Sequence, residues 1–189
     1  MKYLYTLILT LLAFASCNSE DDKTIYFIGD QMFDNMDMDA AFPTKHLVNC
    51  AASGMHLDSL IKCPIQVPSD AVAVVLLGMH DIGAGASTAG ILPEYFDKYE
   101  QMVCKLGAER VVVVSLLPTR MQTRNDNIFA FNKEMRYRFE AYPSISFLDV
   151  TYRFVDEDDM LDVQYARRDG QLLNDYGYQL LAEMINKVL

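Results

Sequence analysis

Short continuous runs of apolar residues alternate along the chain with stretches in which apolar positions recur every three or four residues. The runs are rich in β-branched and aromatic residues and end at glycine, proline or polar residues, as is typical of buried strands. They predict five strands, at 24–28, 46–51, 71–77, 110–117 and 145–150.

The intervening stretches have the period of amphipathic helices, whose apolar stripe faces the core. The predicted stripes are Leu92, Phe96, Tyr99, Val103 and Leu106; Ile128, Phe131, Met135 and Phe139; and Leu180, Leu181, Met184, Ile185 and Val188. We expect Gly107 to end the first of these helices, and Asn125 or Asp126 to cap the second.

Strands that alternate with helices predict an α/β domain in which a five-stranded parallel sheet is covered on both sides. The result is a three-layer α/β/α sandwich, and we expect it to be a single domain over 24–189. In such sheets the functional cleft lies beyond the carboxyl ends of the strands. The polar residues that directly follow the strands are therefore the candidates for chemistry.

The N-terminal stretch 1–17 has the composition of an export signal and not of a folded element. Lys2 supplies a positive charge, and the apolar stretch 4–14 is far shorter than the roughly 20 residues of a membrane span. Small residues precede Cys17, an arrangement that resembles the lipobox of bacterial lipoproteins. We expect Cys17 to be lipidated, 18–23 to be an acidic tether, and the exported protein to be anchored by this lipid alone to the outer membrane, at the cell surface.

The chain has 189 residues, of which 51% are apolar, and a formal net charge of −10. This charge argues against a nucleic-acid partner, because phosphate binding requires a basic face. Beyond Cys17, the cysteines are Cys50, Cys63 and Cys104, and their spacing is not that of a zinc site. A disulfide between Cys50 and Cys63 stays open, but we expect buried thiols.

Four short blocks follow the predicted strands or precede the last helix. They read GDQMFD at 29–34, NCAASG at 49–54, GMHD at 78–81 and DGQLLNDYGY at 169–178. In order and spacing they resemble the blocks of the SGNH/GDSL hydrolases, which are esterases and acylhydrolases of a flavodoxin-like fold. The family blocks read GDSxxD, a glycine in an N…SG context, GxND and DGxHxNxxGY. The resemblance implies the SGNH hydrolase fold over 24–189.

The resemblance also implies a family site in which both attacking groups are replaced. Gln31 stands at the position of the nucleophilic serine and Leu172 at that of the histidine base. Gly54 keeps one oxyanion-hole donor, His80 replaces the asparagine donor, and Asp169 keeps the acid of the triad. Because losing a triad member costs about four to six orders of magnitude in turnover, we do not expect hydrolysis by the family mechanism.

Other groups could supply chemistry in the same cleft. Ser53 could attack an ester with His56 or His80 as its base, although a hydroxyl that caps the following turn is the simpler interpretation. His80 could activate water, or it could fill the asparagine position and bond to a backbone carbonyl. Asp30, His80 and Asp169 would suit a metal ion. The matching aspartates have structural or triad roles in the family, so we predict neither metal nor cofactor.

Two further motifs are set aside. The glycines at 83–90 resemble a dinucleotide loop but do not follow the first strand, so we interpret them as a loop at the cleft edge. The acidic run 156–159 lacks the ligand alternation and the glycine of a calcium loop, and we interpret it as a solvated turn.

Three functional hypotheses follow. The leading one is a surface pseudo-enzyme that binds an ester or acylated glycan in a cleft formed by Asp30, Gln31, Gly54, Met79, His80 and Asp169. The second is a divergent esterase that uses His80 with water, or Ser53. The third is a structural or interaction lipoprotein whose cleft is filled by Gln31, Met32, Phe33 and Met79.

Overall fold

The computed structural model describes residues 23–82 and 93–189, and within them it contains a five-stranded parallel sheet. The strands are β1 (Thr24–Gly29), β2 (His46–Asn49), β3 (Val72–Leu76), β4 (Arg110–Val114) and β5 (Ile145–Leu148). Their order, β2-β1-β3-β4-β5, is that of flavodoxin-like doubly wound sheets. The predicted fold class is confirmed. The predicted signal, Cys17 and the glycine-rich loop lie outside the described residues.

Helices cover both faces of the sheet in the described part of the chain. They are α1 (Gln31–Asp34), α2 (Met38–Ala41), α3 (Leu57–Lys62), α4 (Pro93–Cys104), α5 (Gln122–Phe139) and α6 (Asp175–Asn186). Helix α4 packs against α3 and α5, whereas α2 packs against α6, so the helices fall into two groups. None of the described helices is long and apolar enough to cross a membrane.

Strands β2 to β5 end earlier than their apolar runs predict, whereas β1 ends one residue later, at Gly29. Strand β4 ends at Val114, three residues before the predicted end, although Ser115, Leu116 and Leu117 are fully buried. The chain there leaves the ladder because the Asn132 side chain bonds the backbone of Leu116 on both sides, at 2.8 Å to its N–H and 2.9 Å to its carbonyl. The apolar run therefore predicted burial correctly and the extent of the strand incorrectly.

The predicted cap of α5 is wrong. The helix begins at Gln122, so Asn125 lies inside its first turns and is fully buried. Its amide oxygen accepts the Thr119 N–H at 2.7 Å, and its amide nitrogen donates to the Thr119 carbonyl at 2.8 Å. Asn125 thus fastens the preceding loop to the helix and does not cap it.

The cysteines are thiols as expected, but the expected burial is wrong. Cys50, Cys63 and Cys104 are free thiols, so the Cys50–Cys63 disulfide does not form in this structure. None is buried: Cys50 is half-buried, and the other two are exposed because they lie at the ends of α3 and α4.

Candidate functional site

Asp30 connects the first and third sequence blocks by hydrogen bonds at the carboxyl edge of the sheet. Its Oδ1 accepts the Met32 N–H at 3.3 Å, which caps α1, and its Oδ2 accepts the N–H groups of Gly78 and Met79 at 3.1 and 2.8 Å. The side chain is fully buried. Burial raises the pKa of its carboxyl, and the three amide bonds oppose that rise. Asp30 is therefore a structural anchor and is not exposed to a ligand.

The residue at the family's nucleophile position begins α1. Gln31 is half-buried, and its backbone carbonyl accepts a bond from the Asn35 amide at 2.9 Å. Met32, Phe33 and Met79 beside it are fully buried in the core. These three side chains belong to the hydrophobic core under the sheet edge.

Ser53 is tied to α1 and not to an imidazole. Its hydroxyl and its N–H both donate to Oδ2 of Asp34, the latter at 3.0 Å. The hydroxyl proton is thus directed to a carboxylate of the first block. The predicted capping of the following turn is wrong, and Ser53 has neither His56 nor His80 as a hydrogen-bond partner.

The Gly54 N–H, for which the sequence resemblance implies the role of an oxyanion-hole donor, is bonded to a side chain of the protein itself. It donates to Nε2 of His80 over 3.1 Å. Gly54 has a left-handed backbone with φ of +80°, which suits glycine. Because Nε2 accepts this bond, the imidazole proton of neutral His80 is on Nδ1. From the sequence, His80 was expected to donate a hydrogen bond as the asparagine of the family does, or to bond to a backbone carbonyl. In the structure its Nε2 instead accepts the hydrogen bond of the Gly54 N–H.

A second imidazole stands beside the first. The ring centroids of His56 and His80 are 5.4 Å apart. Nδ1 of His56 lies 3.2 Å from Oδ1 of Asp81, whose other oxygen accepts the Leu57 N–H at 3.1 Å. The carboxylate thereby fixes the orientation of the His56 ring and leaves its Nε2 on the other side.

Asp169, which aligns with the acidic residue of the family's triad, is exposed and accepts hydrogen bonds from its own loop. Its Oδ1 accepts the N–H groups of Gln171 and Leu172 at 2.8 and 3.0 Å. Leu172 is half-buried and packs against the core. The carboxylate thus bonds to the backbone amides that follow it in its own loop.

Arg124 was not predicted as a site residue. Its side chain connects the third and fourth blocks by hydrogen bonds. The residue is only 5% exposed. Its guanidinium donates to the carbonyls of Met79 and Ile82 and to the Gln171 side chain. Burial lowers its pKa, while the negative charge of Asp30 opposes that effect. The sequence feature that could have indicated this role is the position of Arg124, four residues before Ile128 of the apolar stripe of α5.

A cavity of about 570 Å³ adjoins α1 on the side of α2 and α6. Asn35, which directly follows α1, lines it. Arg167, two residues before Asp169, donates to Oδ1 of Asn35 at 3.4 Å and lies 5.9 Å above the Tyr178 ring. This volume is within the range of small-molecule sites.

Asp30, His80 and Asp169 do not form a metal-binding group in the structure. Across residues 23–82 and 93–189, no set of three histidine, cysteine, aspartate or glutamate side chains is arranged to hold a metal ion. The acidic run at 156–159 forms a turn in which Asp156 accepts the N–H groups of Asp158 and Met160, both at 3.0 Å.

The architecture is that of the SGNH hydrolase fold, which solved GDSL-like lipases share. Among solved structures, a GDSL-like lipase from Bacteroides thetaiotaomicron is 19% identical, with a TM-score of 0.72 over 90% of this chain and 89% of that chain. A catalytic mutant of an acetylxylan esterase from Geobacillus stearothermophilus is 14% identical, with a TM-score of 0.68 over 87% of this chain and 93% of that chain. No protein-family model and no curated protein matches the sequence.

Proposed function

We propose that this chain is a non-hydrolytic, lipid-anchored binding protein built on the SGNH/GDSL hydrolase fold. In this proposal it holds an ester or acylated glycan at the former catalytic edge of the sheet without cleaving it. The proposal depends on one observation, the hydrogen bond from the Gly54 N–H to Nε2 of His80.

That bond places a nitrogen where hydrolysis would place an oxyanion. A donor of an oxyanion hole acts on an oxygen at about 2.7–3.1 Å. Nε2 of His80 is 3.1 Å from the Gly54 nitrogen, so the imidazole takes the place of the reacting oxygen. A tetrahedral intermediate could use this donor only if His80 moved away.

The attacking groups are missing as well. The Gln31 amide has no hydroxyl to attack a carbonyl, and the Leu172 side chain cannot accept a proton. Removing one oxyanion-hole donor alone costs about 10²–10³ in turnover. Together with the loss of nucleophile and base, this leaves no efficient route for ester cleavage by the family mechanism.

Restoring the family groups tests the proposal. We expect no turnover of p-nitrophenyl acetate by the wild type above the rate in buffer. The variant Gln31→Ser/Leu172→His/His80→Asn should hydrolyse it, because it regains nucleophile, base and a free Gly54 donor. The matched control Gln31→Ser/Leu172→His retains His80 and should be about 10²-fold slower or more. Efficient turnover by the wild type would contradict the proposal.

One observation favours the second candidate, a divergent esterase. His56, oriented by Asp81, is arranged as a general base whose second nitrogen could activate water. If the wild type does cleave the aryl ester, His56→Ala and His80→Ala identify the base. Loss of turnover in His56→Ala with retention in His80→Ala would establish this alternative.

A further inference from the structure

We infer that a proton on His80 opens the cleft at the Gly54 N–H. While His80 is neutral, this N–H donates to its Nε2 and is closed to a ligand. A proton on Nε2 breaks that bond, and the two N–H groups can then hold an acyl oxygen of the ligand between them. The ligand step of the inference rests on the proposed function, whereas the proton-controlled bond can be tested without any ligand.

The hydrogen bond between Gly54 and His80 requires one protonation state of the imidazole. A backbone N–H has no lone pair and always donates, so Nε2 must accept over the 3.1 Å that separate the two nitrogens. A protonated imidazole donates from both of its nitrogens and offers no acceptor. Gly54 and His80 would then point two donors at each other, so the bond is lost when the ring gains its proton.

The neighbouring imidazole, that of His56, responds to a proton in the opposite way. Its Nδ1 lies 3.2 Å from Oδ1 of Asp81, and a carboxylate oxygen accepts. A proton on His56 therefore turns this contact into an ion pair and strengthens it. The partner of His80 is a donor and the partner of His56 is an acceptor, so of the two rings it is His80 whose contact a proton breaks.

Other charged or titratable side chains surround His80 and Gly54, and they come from the elements packed against them. They are Asp30 and Asp34 at the two ends of α1, His56 before α3, Asp81 in the loop of His80 itself, and Arg124 on α5. Each of the three carboxylates accepts a backbone N–H, which holds it in place. Within residues 23–82 and 93–189 none of these groups is hydrogen-bonded to His80, so the Gly54 N–H is the contact that titration of this ring changes.

The surroundings of Gly54 leave room for a ligand oxygen. Gly54 is exposed, and a Cβ added to it would meet no atom of the described residues within 4 Å. Its segment is held at both ends by carboxylates that accept the N–H groups of Ser53 and Leu57, at 3.0 and 3.1 Å. We therefore expect the half-buried ring of His80 to turn while this segment stays in place.

The proton changes the number of donors that an acyl oxygen meets. The amide of Gln31 and Nδ1 of His80 can donate in either protonation state, so they contribute to binding at every pH. Protonation adds the Nε2 donor and releases the Gly54 N–H. A carbonyl oxygen has two lone pairs and can accept from both. Ligand and proton are therefore taken up together.

Nuclear magnetic resonance of the ligand-free protein tests the proton-controlled bond. Above the midpoint of the His80 titration we expect a scalar coupling through the hydrogen bond between the Gly54 nitrogen and Nε2, and below it we expect none. The Gly54 amide shift should change with the same midpoint. His80→Gln, whose amide oxygen can accept at every pH, should abolish this change. The matched control His46→Gln removes an exposed histidine on β2 and should retain it.

Isothermal titration calorimetry with O-acetylated xylotetraose tests the ligand step, and unsubstituted xylotetraose is the control for the acyl group. We expect the dissociation constant of the acetylated tetramer to rise about ten-fold for each pH unit above the His80 midpoint, because the competent fraction falls by that factor. Buffers of different ionisation enthalpy should show an uptake that approaches one proton per ligand. His80→Gln should bind weakly with no such pH dependence, and His46→Gln should behave as the wild type.

The two measurements separate the possible failures. A Gly54 amide that follows the titration of His56, or a coupling that persists below the His80 midpoint, overturns the proton-controlled bond. Affinity that does not vary with pH, equal binding of the two tetramers, or binding of neither overturns the ligand step. Wild-type turnover of p-nitrophenyl acetate overturns the proposed function and with it the ligand step, while the amide titration still decides whether a proton breaks the bond.

Discussion

His80 reverses the hydrogen-bonding character of one point in the cleft. An asparagine amide at this position can present an N–H to a ligand, whereas the imidazole presents a lone pair to the Gly54 N–H. The same nitrogen cannot serve water activation while it accepts this bond. In the proposed function, this one side chain both occupies the Gly54 donor and changes the groups that a ligand would meet.

Asp30 gives a pH-dependent prediction at the same scale. Burial raises its pKa in the folded state above the unfolded value of about 3.9, so the folded protein holds this proton more tightly. The contribution of Asp30 to stability is therefore greatest below about pH 3.9 and is lost as pH rises through the folded-state pKa.

Replacing Asp30 with asparagine removes this titration. We expect the unfolding free energy of Asp30→Asn, relative to that of the wild type, to increase as pH rises from about 3.9 through the folded-state pKa of Asp30. Urea denaturation at several pH values measures it, with Asp58→Asn as the control for net charge. A difference that decreases with pH would show that the amide bonds to Asp30 outweigh its burial.

The sequence predicted where the candidate residues lie relative to the strands and the last helix, but not their hydrogen bonds. Gln31, Gly54, His80 and Asp169 follow strands or precede α6, as predicted from block order. The direction of the Gly54–His80 bond depends on a loop geometry that no local pattern encodes. The Ser53–Asp34 contact joins residues 19 positions apart, so it was equally invisible to periodicity.

At the scale of elements, α5 holds the carboxyl edge of the sheet through polar side chains. Arg124, Asn125 and Asn132 are all buried on this helix, among the apolar positions of its predicted stripe. Each bonds to backbone in a loop that follows β3 or β4. The spacing of the apolar residues predicted the buried face of α5 correctly. Its buried arginine and asparagines, however, are residue types typical of solvent-facing positions, and the start of the helix was therefore predicted too late.

Asn132→Ala tests this anchoring. The variant leaves both the N–H and the carbonyl of Leu116 without their partner, and we expect the unfolding free energy to decrease by about 2 kcal/mol. Thermal or urea denaturation measures the loss. Lys133→Ala, on the exposed side of the same helix, is the control and should be nearly neutral. A neutral Asn132→Ala would mean that water replaces the amide without cost.

At the scale of the whole molecule, five apolar runs separated by helical stripes were sufficient to predict the fold class. Parallel strands buried on both faces have few alternatives to a doubly wound sheet, and the observed order agrees with that expectation. The helix α6 and its cap Asn174, which accepts the Gly177 N–H at 3.0 Å, complete the fourth block.

The lipid anchor is the prediction that belongs to the whole chain. Expressed in a Gram-negative host, the wild type should partition into the detergent phase and carry the added mass of a diacylglyceryl group. Cys17→Ala should remain in the aqueous phase with no such mass, and Cys104→Ala, which removes an exposed thiol on α4, should behave as the wild type. Aqueous partition of the wild type would contradict the prediction.

The Gly54–His80 bond also sets the order in which an engineer would have to rebuild a hydrolase on this scaffold. Under the proposed function, a serine introduced alone at position 31 would face a Gly54 donor that His80 occupies, and a histidine introduced alone at position 172 would have no nucleophile to deprotonate. We therefore expect neither single substitution to confer ester hydrolysis, so a stepwise screen for activity would have to begin from a multiple variant.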